Sequence, residues 1–266
     1  MSLVFTTTSC DMDLTPDSAV PEHEALRTID DCDAWVVGIY SAFKNSALYS
    51  GYMTLLPDIQ ADMAYAALHT NNGFYTNIYQ WDMKSTTDEI IAVYNGLYTI
   101  VARCNFFLDY KDQVEVNLKT TADKDNFKKR LGEVYFARAM AYAELIRLFC
   151  EPMTSVNADT ENMGICLPTT YRDDVPKVKR STLRESYNQI ISDLKSAEDN
   201  LPDSRTVADS HYFSKGAVYA LRARIYMYMG MGDLKRDRNN EYLKKSVEAA
   251  TKVIKLGVYE LSDAIN

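Results

Sequence analysis

The stretch GEVYFARAMAYAELIRLF, residues 132–149, recurs in part 84 residues later as GAVYALRARIYMY, residues 216–228. Gly132, Val134, Tyr135, Arg138, Ala139 and Tyr142 return as Gly216, Val218, Tyr219, Arg222, Ala223 and Tyr226. Self-similarity at one fixed offset marks a repeated structural unit, and a chain built from such units has few architectures open to it. The spacing of large and small residues within the unit is helical. Arg138 and Arg222 fall on or beside the apolar stripe of their helices. A buried guanidinium needs a carboxylate or carbonyl partner, so structural pairing is expected for both.

Helical periodicity runs through six segments, at about 26–45, 87–110, 121–149, 182–200, 214–230 and 239–256. Thr86 with Glu89, and Thr182 with Glu185, have capping-box spacing at two of the starts. Pro202, Gly230, Gly232 and Gly257 mark ends. Strand signals are few and short. The reading is all-α: tetratricopeptide-like helical hairpins stacked as an α-solenoid, with long irregular loops. The first helix of a tetratricopeptide unit carries a large residue, a small one four on, and a Tyr three further. Tyr135, Ala139 and Tyr142 have that spacing, as do Tyr219, Ala223 and Tyr226. The small residue lets the partner helix approach and the rings fill the groove beside it, so the repeat is first a packing device.

Charge removes some functions. The 266 residues carry a formal charge of −8, with a pI near 5.0. A broad nucleic-acid surface needs clustered Lys and Arg, whereas the basic runs KDNFKKR and DLKRDR are interleaved with Asp and read as solvated faces. There is no run of 18 consecutive apolar residues of the kind that marks a membrane-crossing helix. LVFTTTSC followed by DMDLTPDSAVPEHE has the form of small residues before a cysteine and then an acidic tether. That resembles the end of a bacterial lipoprotein signal, with Cys10 as the lipidated residue, although Thr7 stands where Leu is usual; the alternative is a free cysteine in an irregular N-terminus. Of the other cysteines, Cys32, Cys104, Cys150 and Cys166, none has metal-ligand spacing. Cys150 and Cys166 flank a loop, so they are either a disulfide or two free thiols.

Catalytic patterns are missing. There is no G-x-S-x-G, G-x-G-x-x-G, P-loop or H-E-x-x-H, and His23, His69 and His211 are scattered. The reading is a non-enzyme without cofactor or metal. The positive signal is aromatic: 19 Tyr against 9 Phe implies rings with one wet edge. It concentrates in YAALHTNNGFYTNIYQWDM, residues 65–83, between the first two helices, where no helical period is evident. Sugar rings present C–H faces that stack on aromatics and hydroxyls that seek amides and carboxylates. Phe74, Tyr75, Tyr79 and Trp81 supply the first, and Asn72, Asn77 and Asp82 the second. These seven are the candidate ligand residues, with Trp81 foremost. The competing reading is a loop packing its own rings on the scaffold.

Four blocks of residues resemble one family. The first is Gly132, Glu133, Phe136, Arg138, Ala139, Tyr142, Leu145, Ile146, Arg147, Phe149 and Pro152. The second is Arg180, Thr182, Glu185, Tyr187, Ile190, Asp193, Leu194, Ala197, Leu201 and Pro202. The third is Lys215, Gly216, Ala217, Ala220, Leu221, Ala223, Arg224 and Tyr226, and the fourth Ala249, Val253, Ile254, Gly257, Tyr259 and Leu261. Their order and spacing resemble the N-terminal part of the SusD/RagB outer-membrane lipoproteins of gut-type Bacteroidetes. Val134 and Cys150 depart from the pattern, which favours Ala and Gly there. The resemblance implies a lipoprotein tether over 1–25 and a helical domain over 26–266 that lacks the family's C-terminal part. It also implies glycan capture without chemistry, at the outer membrane. The partner would be a SusC-like TonB-dependent transporter, and the lipid the only contact with the membrane. The alternative is a tetratricopeptide-type scaffold for a protein or peptide, without a sugar site.

Overall fold

A computed structural model describes residues 21–66, 73–171, 179–203, 211–232 and 238–259. Among them are eight α-helices: α1 (Ile29–Phe43), α2 (Tyr52–Gln60), α3 (Thr76–Tyr79), α4 (Asp88–Glu115), α5 (Thr121–Phe149), α6 (Leu183–Asn200), α7 (Lys215–Met231) and α8 (Asn240–Lys255). A 3-10 turn, Glu22–Glu24, precedes α1. The described residues contain no strand, only one isolated bridge between Cys166 and Arg180. The six expected helices form, and the fold is the all-α solenoid of hairpins that the repeat implies. α5 pairs with α6 and α7 with α8, while α4 and α1 pack on the outer side of α5.

The helix starts follow local chemistry. At α6 the Thr182 hydroxyl accepts from the Glu185 N–H, and the Glu185 carboxylate accepts from the Thr182 N–H. Thr28 with Asp31 and Thr120 with Asp123 build the same reciprocal box at α1 and α5, with the shorter acid. The expected box of Thr86 and Glu89 does not form. α4 is capped by Thr87, whose side chain makes no cap bond because its hydroxyl accepts from the Lys84 N–H at 3.0 Å. Asp88 and Glu89 still place negative charge at that N-terminus.

The core explains the long apolar faces. Leu97, Ile100, Val101, Cys104 and Phe107 bury one side of α4 completely. α4 is long and apolar enough to cross a membrane by composition, and here that apolarity is used in the core. Trp35 of α1 stacks on Phe106 at 4.3 Å and donates its indole N–H to the Arg103 carbonyl at 2.9 Å. α5 is buried nearly all round in its second half, and its charges are matched there. Arg138 donates through Nε and Nη2 to both oxygens of Asp193 on α6, at 2.8 and 2.7 Å, and through Nη1 to Asn105 of α4 at 2.9 Å. Arg222 of α7 pairs with Glu198 and donates to the Leu194 carbonyl, both on α6. Each guanidinium also lies over the Tyr three residues before it, Tyr135 or Tyr219. The structural pairing expected of both arginines is present.

The repeated glycines are close-approach points. A Cβ at Gly132 would sit 2.9 Å from the backbone N of Leu201, at the end of α6. One at Gly216 would sit 2.8 Å from the Tyr259 ring, which follows α8. Tyr142 is fully buried and donates to the Pro168 carbonyl at 2.7 Å, so the chain between α5 and α6 folds back onto α5. Asn105 donates to the same carbonyl at 2.7 Å.

Candidate functional site

The aromatic segment leaves the solenoid between α2 and α4. α2 is not legible in the sequence as a separate helix, and within 65–83 the structure has a further helical turn, α3, where the sequence shows no period. The turn is held from below. Ile78 is 1% exposed, and it is the pin that fixes α3 to the body. The Thr76 hydroxyl donates to the Gly73 carbonyl at 2.8 Å, and the Asp82 N–H to the Asn77 carbonyl at 2.9 Å.

Past that pin the backbone takes an unusual path. Tyr75 and Trp81, on either side of α3, have φ of 58° and 57°, and Asp62 before them has 57°. Bulky side chains rarely occupy the left-handed region, where Cβ crowds the carbonyl oxygen, and such residues gather at functional sites.

The rings point outward. Trp81 is 63% exposed and Phe74 67%, and the Trp81 ring stacks on no other ring among the described residues. Tyr75 packs edge-on against Tyr52 of α2 at 6.0 Å and beside Phe74 at 6.2 Å. Burial pushes the Tyr75 hydroxyl above the usual tyrosine range, with smaller contributions from Tyr52 and Glu89. Tyr79 is half-buried and Asn77 exposed. Asp82 is exposed and lies 3.7 Å from Lys84. Gln60 of α2 donates to the Met83 sulfur at 3.1 Å, which ties the far end of the segment to α2. The structure thus gathers Phe74 and Tyr75 on one side of α3, with Trp81 and Asp82 on the other. Asn72, His69 and Cys10 lie outside the described residues. Sequence reasoning misses Tyr52 and the exposed Met63, because it does not separate α2 from the loop.

A chain with this solenoid and this aromatic excursion matches one family profile over residues 12–227, that of SusD-like proteins, described as starch-binding and associating with the outer membrane. The chain belongs to the SusD-like family. A curated relative, SusD-like protein P2 of Formosa agariphila, is 22% identical over 86% of this chain and 42% of its own length. A solved SusD homolog from Bacteroides thetaiotaomicron aligns with TM-score 0.73 at 21% identity, covering 91% of this chain and 43% of that one. A SusD superfamily protein from Bacteroides fragilis aligns with TM-score 0.69 at 25% identity, over 90% of this chain and 51% of that one. The SusD-like chain therefore spans about half the length of the relatives it matches.

Two further regions of this SusD-like chain bear on function. An open apolar groove of about 840 Å³ lies between the end of α5, the start of α6 and the end of α7, lined by Ile146, Pro152, Tyr187, Met227, Tyr228 and Met231. Cys150 borders it, and both Cys150 and Cys166 are free thiols, so the disulfide alternative is not realised. Arg180 lies between their segments. Its backbone bridges to Cys166, and its guanidinium donates to the Gly164 and Phe149 carbonyls and approaches the Cys150 sulfur at 3.4 Å. Burial raises the Cys150 thiol above its usual range, against the pull of Arg180, and pushes Cys32 up to about 12. Thiols held protonated in this way are poor nucleophiles. Among the described residues no group of three or more His, Cys, Asp and Glu is placed to hold a metal.

Proposed function

We propose that this chain is a non-catalytic glycan-capturing module, and that the α3 excursion is where the glycan stacks. The observation that carries the reading is the pair of exposed rings, Trp81 and Phe74, with Trp81 itself and the neighbouring Tyr75 in the left-handed region, on a buried Ile78 pin. A ring whose turn is pinned by the buried Ile78 offers a flat apolar face at reduced entropic cost. Asn77 and Asp82 stand next to those rings as hydrogen-bonding groups for sugar hydroxyls, with Asn72 and Tyr79 completing the candidate set.

The wider reading follows the family. Residues 1–25 form a tether lipidated at Cys10, and residues 26–266 a helical domain held at the outer-membrane surface. The bound oligo- or polysaccharide is passed to a SusC-like TonB-dependent transporter. Titration calorimetry against a polysaccharide panel, with Trp81→Ala alongside, tests the binding step. One glycan class should bind, and the variant should lose about tenfold or more in affinity, as central aromatic anchors do. Full retention of affinity by the variant overturns the site.

The apolar groove beside α7 favours a second reading, a scaffold for an extended or helical peptide. In that case no glycan binds, Trp81→Ala is silent, and Met227→Glu abolishes capture of the peptide partner.

A further inference from the structure

The stacking residues lie in a long stretch almost devoid of positive charge. Between Lys44 and Arg103 there is a single Lys, Lys84, and no Arg. The same stretch has five carboxylates, Asp58, Asp62, Asp82, Asp88 and Glu89, so its formal balance is 1 − 5 = −4. Lys84 is already matched to Asp82 at 3.7 Å. Asp58, Asp62 and Asp88 are exposed, and among the described residues none of them is in an ion pair. Asp62 occupies one of the left-handed positions before the excursion, and Asp82 directly follows Trp81.

Three cations on neighbouring elements are engaged elsewhere, whereas the exposed Arg224 of α7 acts on Tyr49 at the start of the stretch. Arg103 of α4 donates to the Gly38 carbonyl of α1 at 2.6 Å. At the end of α5, whose Leu148 and Phe149 line the cleft against α2, Arg147 is bound to Glu144 at 2.6 Å. Arg180 is occupied by the carbonyls of Gly164 and Phe149. A sulfate or uronate group laid along the exposed rings would meet Asp82, which directly follows Trp81, and Glu89, whose charge acts on Tyr75, with Lys84, already matched to Asp82, as the one cation of the stretch. Like charges brought together at a binding surface oppose association, and they do so most at low ionic strength.

We propose that the α3 excursion selects uncharged glycans and rejects those carrying uronate or sulfate groups. This deepens the glycan-capture reading and rests on it. The selectivity comes from charge exclusion around the stacking platform, with the rings providing the attraction.

The test uses the whole 266-residue chain with a panel of neutral polysaccharides (an α-glucan, a xyloglucan, a mannan and an arabinan) and anionic ones (polygalacturonate, alginate and a sulfated galactan). Any neutral ligand found is then compared with its own partly carboxymethylated form. The expected result is Trp81-dependent binding within the neutral set. Carboxymethylation should weaken it about tenfold at low salt, with the gap closing towards about 0.5 M salt, where the Debye length is only a few ångströms. The double variant Asp62→Asn, Glu89→Gln should narrow the gap while keeping the neutral glycan bound. Trp81-dependent binding of a uronate or sulfated glycan overturns the charge selectivity and leaves the capture site standing. Binding to no glycan in a Trp81-dependent way removes both the selectivity and the site beneath it.

Discussion

The two repeated hairpins solve one packing problem at different depths. In α5–α6, Arg138 is closed off from solvent, held bidentate by Asp193 and met from α4 by Asn105. In α7–α8 the equivalent Arg222 turns back to Glu198 of the preceding helix, and Glu198 remains partly exposed. The glycines differ in the same sense. Gly132 faces backbone, the N of Leu201, whereas Gly216 faces the edge of the Tyr259 ring. One residue pattern therefore serves as a central joint when helices cover it on both sides, and as a lighter one near the end of the described stack. Identical local sequence does not set the energy of a contact; the number of neighbours excluding water does.

Substitutions can break that comparison. The largest effect should come from Asp193→Ala, which leaves a buried guanidinium without its carboxylate and should cost about 3–5 kcal/mol in denaturant unfolding. Equal costs for Asp193→Ala and Glu198→Ala would show that the two joints are equivalent after all. Gly132→Ala should come next, at about 1–3 kcal/mol, because a backbone atom of Leu201 cannot move aside as a side chain can. Glu198→Ala should cost about 1 kcal/mol, the range of a partly solvated ion pair. Gly216→Ala should cost less than about 1 kcal/mol, since the Tyr259 ring can rotate away. A larger loss there than at Gly132 would reverse the assignment of the inner and outer joints.

Acid sharpens the same contrast. Burial raises the Glu198 carboxyl, but Arg222, with help from Tyr219 and Lys252, outweighs it and leaves Glu198 below its ordinary value of 4.5. A depressed carboxyl contributes stability that is present above its unfolded-state value and is lost as pH falls through the folded one. The outer joint should therefore loosen below about pH 4.5, and Glu198→Gln should flatten that part of the stability–pH curve. The caps contribute in the same direction. Thr120 holds the Asp123 carboxyl low, and at Asp31 the burial that would raise the carboxyl is outweighed by hydrogen bonds from Arg27 and Thr28.

Much of this molecule is local, and local features are legible. Thr182 and Glu185 announce the start of α6 because a cap is a contact between residues three apart. The repeat announces two equivalent helices because periodicity needs no partner to be visible. Composition alone singles out 65–83 as a ring-rich excursion with amides and an acid. Other features depend on what lies nearby in space. Whether Thr86 or Thr87 caps α4 is decided by the turn that brings the Lys84 N–H onto the Thr87 hydroxyl. α2 carries Pro57 within it and begins after Gly51, both of which mask a helix when the chain is read as a line.

The sequence by itself determined an all-α chain, its repeated helix, the need for partners at Arg138 and Arg222, and the family blocks that run through them. Only the tertiary structure decided which carboxylates answer those arginines, and that Cys150 and Cys166 stay free. It also decided that Trp81 and Phe74 face outward while Ile78 holds their turn to the body. The physical reason is separation along the chain. Helix periodicity and capping are set over three or four residues, whereas Arg138 meets an acid 55 positions away, and only packing can bring the two together.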